Sequence, residues 1–410
     1  MTRHLVLTLV TRGLLIFAGF ASSIITARYL GPEGRGIFFY WITLAAFAIQ
    51  FGNLGLHSSN TYALLKGGAR FSVLAVNSLW VSVVLGGILS GLLVVSLWLG
   101  SETLEGKWLL LVPVLILIPS GLYFMLGTNL LVADGRIFDY NGFELMNRYL
   151  GLAAICFTSW YWSTPEALLL ATCVISVLIC WPLYRRLKAF DKNEGPSWRL
   201  FLDGLGYGIR AYVVAGIGFA VLRLNVLLLE QLADVETLGA WSIAAQLLDV
   251  IVVIPSAAAL IWLPRIMRSK DPYDLMHSQL RMMAIVLALV CAVAASLGSD
   301  AILFLYGEHF ASAYTMLLWG LPGSFALGLT SIFSQYLACV GIPFVLVFIW
   351  LTGLVVEFGF AIWLVPSQGG SGAMMSLTAA YLIVLGMVWV LAVNCHAKKM
   401  GIENVYDGKN

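Results

Sequence analysis

The chain has 410 residues, of which 60% are hydrophobic and 11% charged, with a formal net charge of +2. Soluble domains carry about 25% charged residues, so this chain lacks the polar coat a soluble protein of its length needs, and its charge gives no ground for a nucleic-acid partner. The composition is that of an integral membrane protein.

Twelve stretches are long and apolar enough to cross the hydrocarbon, which takes about 20 residues. They run at about 5–27, 37–57, 72–98, 108–132, 141–162, 167–184, 207–230, 239–262, 279–299, 313–339, 343–365 and 372–394. The first follows a basic flank at Arg3. It is too long for a signal-peptide core, contains Arg12 and lacks an A-x-A cleavage site, so it reads as a retained span. At 100° per residue Thr8, Arg12, Gly19, Ser22, Ser23 and Thr26 share one side of it. The segment "ARYLGPEGRG", Ala27 to Gly36, then breaks the apolar pattern. Gly31-Pro32 marks a turn, with Arg28 and Arg35 expected to reach headgroups. A phosphate-cradling loop would need a preceding strand and a GK[ST] element, and neither is present.

On the second span Thr43, Gln50, Asn53 and His57 share a face, with His57 at the interfacial end. The fifth carries Glu144 and Arg148 at i,i+4, with the acid N-terminal as an internal salt bridge prefers. A basic linker at 185–206, with Gly195-Pro196, separates the two halves of the chain. The seventh span presents Tyr212, Gly216, Phe219 and Arg223 on one side, with Arg210 nearer the cytoplasm; the eighth presents Ser242, Gln246, Asp249 and Ser256. Spans one, two and eight thus each have a hydrophilic edge, and they would enclose a wet cavity if they meet.

Sixteen of the 23 Lys and Arg fall in loops on one side of this arrangement and three, Arg28, Arg35 and Lys107, on the other. The positive-inside rule then puts both termini in the cytoplasm. The six cysteines show no CxxC or Cys/His spacing, and five lie in apolar runs as packing side chains. No motif asks for a cofactor or metal.

The halves are related. Gly36 and Phe38 fall opposite Gly239 and Trp241 at an offset of 203, and "GTNLLVADGR" lines up with "FSQYLACVGI" at an offset of 206. A duplicated six-span unit keeps the same orientation in both copies, the parallel-repeat plan of some transporters. The expected organisation is an N-terminal bundle at 1–184, a cytoplasmic linker at 185–206, a C-terminal bundle at 207–397 and a cytoplasmic tail at 398–410.

A charge at mid-span costs about 3 kcal/mol on insertion scales, so those that remain need a reason. Arg12 and Arg223, in spans of different halves, suit a cationic lumen because guanidinium donors bind phosphate bidentately. Arg12 lies two turns into its helix, where snorkelling to the interface is an equal alternative. Ser23, Gln50, Asn53, Gln246 and Arg210 complete the candidate polar lining. Asp249 and Glu357, near the centres of spans eight and eleven, must be neutral, paired or titrating, which makes them candidate coupling sites for a proton or ion.

"ARYLGPEGRGIF" closing span one, the twelve spans and "LLVADGR" closing span four together resemble the polysaccharide-exporter branch of the multidrug/oligosaccharidyl-lipid/polysaccharide (MOP) transporters, the Wzx-type or O-antigen flippases. The resemblance implies an all-α, MATE-like fold of two six-helix bundles around a central cavity, alternating between inward- and outward-open states. It implies a polyprenyl-pyrophosphate-linked glycan as substrate, H+ or Na+ as coupling ion, an inner-membrane location among membrane lipids, and association with other polysaccharide-assembly proteins. Carried over by position, Arg12 and Arg223 would face the pyrophosphate. Two alternatives stay open. A drug antiporter of the same superfamily calls for an acidic lumen, whereas here arginines and acids mix. A glycan polymerase or glycosyltransferase usually carries a long external loop, and the outer loops here are short.

Overall fold

The computed structural model describes residues 2–99, 107–188, 195–269, 271–340 and 344–407. Every regular element among them is helical: α1 Thr2–Gly52, α2 Leu56–Leu65, α3 Phe71–Leu99, α4 Trp108–Ala133, α5 Ile137–Tyr161, α6 Pro165–Lys188, α7 Trp198–Leu232, α8 Val235–Arg268, α9 Pro272–Tyr306, α10 Ser312–Val340 and α11 Val345–Asp407, with a short 3-10 turn at Glu308–Phe310.

Two of these helices are hairpins. Arg35 reaches Ser23, 12 positions back, at 3.2 Å, although a continuous helix would separate them by about 18 Å. The reversal is at Gly31, whose φ of 67° and ψ of −176° leave the helical region. Glycine takes such a φ without the 1–2 kcal/mol (roughly) that an L side chain incurs, and Pro32 suits the first position of the helix that follows. Likewise α11 turns at Gly369, φ 54°. A Cβ on Gly353 would touch Val384 at 2.7 Å, again far closer than a straight helix allows. Nine helical segments among the described residues are long and apolar enough to cross a membrane. Counting both arms of each hairpin and adding the more polar α5, 25 residues long, twelve spans emerge, close to those expected.

The chain divides into two units, Met1–Phe219 and Ala220–Asn410, and the division falls inside α7. Unit 1 packs around α4. Its Leu111, Val114, Ile118, Leu122, Leu126 and Leu130, spaced three and four residues apart, are buried as a helical stripe demands. Phe38, Trp41 and Ala45 of α1 and Leu168 and Leu169 of α6 close on its outer part.

Hydrocarbon offers no hydrophobic drive between helices, so close approach and satisfied polar groups hold them together. Pro119 cannot donate to the Leu115 carbonyl, and the Ser90 hydroxyl of α3 donates to it instead, at 2.9 Å. Gly86 permits that approach, since a Cβ there would lie 2.6 Å from Pro119 Cα. Unit 2 packs around α10, whose Leu317, Ala326, Ile332 and Leu337 are buried with Trp241 and Ala244 of α8 and Ala373, Ala380 and Val384 of α11. Pro322 of α10 follows Pro119 of α4 by 203 positions, the offset already seen between Gly36 and Gly239.

Candidate functional site

The α1 hairpin departs from expectation. Arg35 does not reach for headgroups; it is 5% exposed and folds back onto the first arm of α1. There it donates to Thr26 Oγ1 and, at 3.2 Å, to Ser23 Oγ. Ser23, expected on the lumen edge, is therefore buried inside unit 1 as a partner of Arg35. Arg28 is exposed. Arg12 is exposed on the first arm and within electrostatic reach of Tyr140 on α5. Gly19, on the same arm, leaves room for the guanidinium of Arg148, which a Cβ would meet. Glu144 and Arg148 feel each other's charge but do not close to a salt bridge.

The second span is interrupted at residues 53–55. Between α1 and α2 the residues Asn53, Leu54 and Gly55 leave the helix, Leu54 with φ 47° and Gly55 with φ 76°. A leucine in the left-handed region costs about 1–2 kcal/mol, so the surroundings must hold it there. They do so through α7. The Tyr212 hydroxyl donates to the Phe51 carbonyl at 2.9 Å, and the backbones of Gly55 and Gly208 touch. A Cβ on either glycine would lie 2.5 or 2.6 Å from the other's carbonyl oxygen. Asn53 is 1% exposed; its Oδ1 accepts from the His57 amide at 3.2 Å and its Nδ2 lies 2.6 Å from His57 Nδ1. His57 thus belongs to the first turn of α2. Gln50 is half-buried just before the break.

At one end of unit 1 Asp139 joins two helices. Its carboxylate accepts from Arg136 at 2.8 Å and from Arg186 of α6 at 3.0 and 3.1 Å. Partial desolvation pushes the Asp139 carboxyl upward, but the bonds and charges of these two arginines outweigh it and hold it below its ordinary value.

Unit 2 holds a polar centre on four helices. Arg223 of α7 donates to Asp249 of α8 at 3.2 Å. Two positions along α7, Asn225 donates to Glu357 Oε1 of α11 at 2.6 Å. The Ser376 hydroxyl shares its proton between Ala373 O at 2.7 Å and Asn225 Oδ1 at 3.2 Å. Glu357 is fully buried, and its second oxygen, like the Tyr381 hydroxyl, has no hydrogen-bond partner among the described residues. Tyr381 is within electrostatic reach of Glu357, Asp249 and Arg223. A cavity of about 20 Å³ lies against Arg223, Asp249, Ser324, Thr378 and Tyr381, room for about one water.

Of the residues singled out from the sequence, Arg223, Asp249 and Glu357 share this centre. Gln246 is half-buried on α8 and does not line the cavity. The Arg210 side chain lies outside the described residues. Asn225, Ser376 and Tyr381 are additions: each is a neutral polar residue that no periodic stripe marked.

Residues 3–270 match the family described as "Polysaccharide biosynthesis protein". The chain belongs to this family. No curated protein matches it in sequence. Among solved structures it is similar to the lipid II flippase MurJ in an inward closed conformation, at TM-score 0.78 and 13% identity over 96% of this chain and 88% of that one. It is similar also to an inward-facing multidrug resistance MATE transporter of the MOP superfamily, at 0.76 and 14% over 94% and 96%, and to the MATE transporter VcmN of Vibrio cholerae, at 0.62 and 15% over 98% and 97%. The family member is thus a multi-pass membrane protein with the MurJ/MATE fold.

Proposed function

We propose that the protein is a flippase that moves a polyprenyl-pyrophosphate-linked oligosaccharide from the cytoplasmic to the outer leaflet by alternating access, supplying surface polysaccharide assembly. The observation that carries the reading is the match to a polysaccharide-biosynthesis family over 3–270 in a chain with a transporter fold. Both termini are cytoplasmic in this reading, the membrane is a prokaryotic inner membrane, and the two six-span halves are the alternating lobes.

Arg12 and Arg223, with Arg210, would meet the pyrophosphate, and Gln50 and Gln246 the sugar; Asn53 is buried against His57 and does not reach it. Arg223 already has Asp249 as a partner at 3.2 Å, so phosphate would compete with that carboxylate for the guanidinium. Release of Asp249 would then tie substrate binding to a titratable group. Among the described residues no cation lies against Glu357, and a buried carboxylate without one is expensive. It must carry a proton or receive a cation during the cycle, which supports H+ or Na+ coupling.

The test is reconstitution in vesicles, reading whether a labelled polyprenyl-pyrophosphate sugar becomes accessible on the far side. Protein-dependent transfer, lost in Arg223→Ala, is expected. No transfer, together with cation-driven efflux of a lipophilic drug, would favour the antiporter reading suggested by the MATE likeness.

A further inference from the structure

The break in the second span is chemically specific. In a continuous helix the Phe51 carbonyl would accept from the amide of Gly55, four residues on. Here Gly55 is left-handed, and the Tyr212 hydroxyl of α7 occupies that acceptor at 2.9 Å. Around the break the amides of Leu56 and Ser58 turn to the Asn53 and Gly55 carbonyls, and that of His57 to the Asn53 side chain. The amides of Leu54 and Gly55 give up their helical acceptors; the Tyr212 hydroxyl offsets part of that loss. Leu54, in a backbone region that leucine avoids, opposes the break. The close Gly55–Gly208 contact, possible only without side chains at both positions, supports it. Packed elements switch between discrete arrangements rather than deforming continuously, and here terms for and against the break meet at three residues.

We infer that residues 53–55 form a bistable hinge in which the Tyr212 hydroxyl and the Gly55 amide alternate on the Phe51 carbonyl, so that α1 and α2 pass between a broken and a continuous helix. Asn53 sits inside the hinge and holds the first turn of α2 through His57, so α2 moves as one piece. Broken transmembrane helices persist where a neighbour satisfies the freed backbone groups, and Tyr212 is that neighbour. The hinge rests on the alternating-access reading only for its purpose; its existence depends only on this segment and the α7 residues packed against it.

The experiment measures the distance between spin labels at two exposed positions, Glu33 on the second arm of α1 and Leu65 at the end of α2. It uses the full chain in lipid nanodiscs without substrate. A continuous helix would place these backbones about 48 Å apart, and the broken one nearer. Tyr212→Phe removes only the competing hydroxyl, and Gly55→Ala penalises the left-handed state and collides with Gly208. Both are expected to shift the population toward the longer distance, while Leu54→Gly keeps or enriches the shorter one. Tyr212→Phe is the milder change and decides the matter if Gly55→Ala does not fold. A folded Tyr212→Phe protein with the wild-type distribution overturns the inference and leaves a fixed kink. Because no glycan is present, failure here is separate from failure of the vesicle transport assay.

Discussion

Arg223 and Asp249 face each other across α7 and α8 at 3.2 Å, and each is the other's nearest reason for being tolerated in an apolar span. Removing either leaves a charge that hydrocarbon cannot solvate. Arg223→Ala and Asp249→Asn are each expected to destabilise the protein by about 2 kcal/mol, the scale of a charged hydrogen bond. The double variant should lose clearly less than the sum of the two, because neither charge is then stranded. Thermal unfolding of the four proteins in one detergent checks this. Additive losses would mean that the two side chains are uncoupled and that the guanidinium is not held by the acid.

The Glu357 carboxyl makes one strong bond, to Asn225 at 2.6 Å, through a single oxygen. A glutamine can accept that bond with its carbonyl while being unable to gain or lose a proton. Glu357→Gln is therefore expected to fold with near-wild-type stability and to lose the response of transport to an imposed proton or sodium gradient. Vesicle transport with and without each gradient reads the outcome. An unchanged gradient response in the variant would remove Glu357 from coupling.

Some of this was legible in the sequence, and the reason for the division is physical. Spans are set by length and hydropathy, local properties that survive any tertiary arrangement, so all twelve could be located, although α7, α9 and α11 run 7 to 13 residues beyond the expected bounds. The charged members of the unit 2 centre stood out because a charge in a span is costly. Asn225 and Ser376 did not, since a neutral polar residue can satisfy itself on its own helix, and only the fold brings Asn225 onto Glu357 and Ser376 onto Asn225. Arg35 misled because a turn arginine has two outlets, the headgroups or its own hairpin. The choice depends on hydroxyls at Ser23 and Thr26 that face it only once Gly31 has reversed the chain. The break at 53–55 left a weak trace, an asparagine and a glycine two residues apart, which an apolar window averages away.

The Ser90–Leu115 bond predicts a graded pair of effects on unit 1. Ser90→Ala removes the donor from a carbonyl that Pro119 leaves free, with an expected loss of about 1 kcal/mol. Gly86→Ala drives a methyl to within 2.6 Å of Pro119 Cα, a backbone atom that cannot step aside, and should cost more, about 1–3 kcal/mol. Unfolding midpoints should fall in that order, the glycine variant lowest. The reverse order would show that α3 and α4 are less tightly apposed than these contacts require.

Asp139, in the first turn of α5 and ahead of the apolar stretch at 141–162, supplies a pH test. Desolvation raises its carboxyl, but Arg136 and Arg186 together lower it further, so the folded group titrates below the ordinary value of 3.8. A depressed acid contributes stability above its unfolded titration point, and loses that contribution as pH falls through the folded one. Wild type should therefore exceed Asp139→Asn in melting temperature at pH 5 and above, with the gap narrowing steadily as the buffer is taken below pH ~4. Arg186→Gln should shrink the gap without abolishing it, since Arg136 remains at 2.7 Å. A gap that stays constant from neutral to acid pH would mean that the carboxylate makes no charge-dependent contribution, and that its tie between α5 and α6 is packing alone.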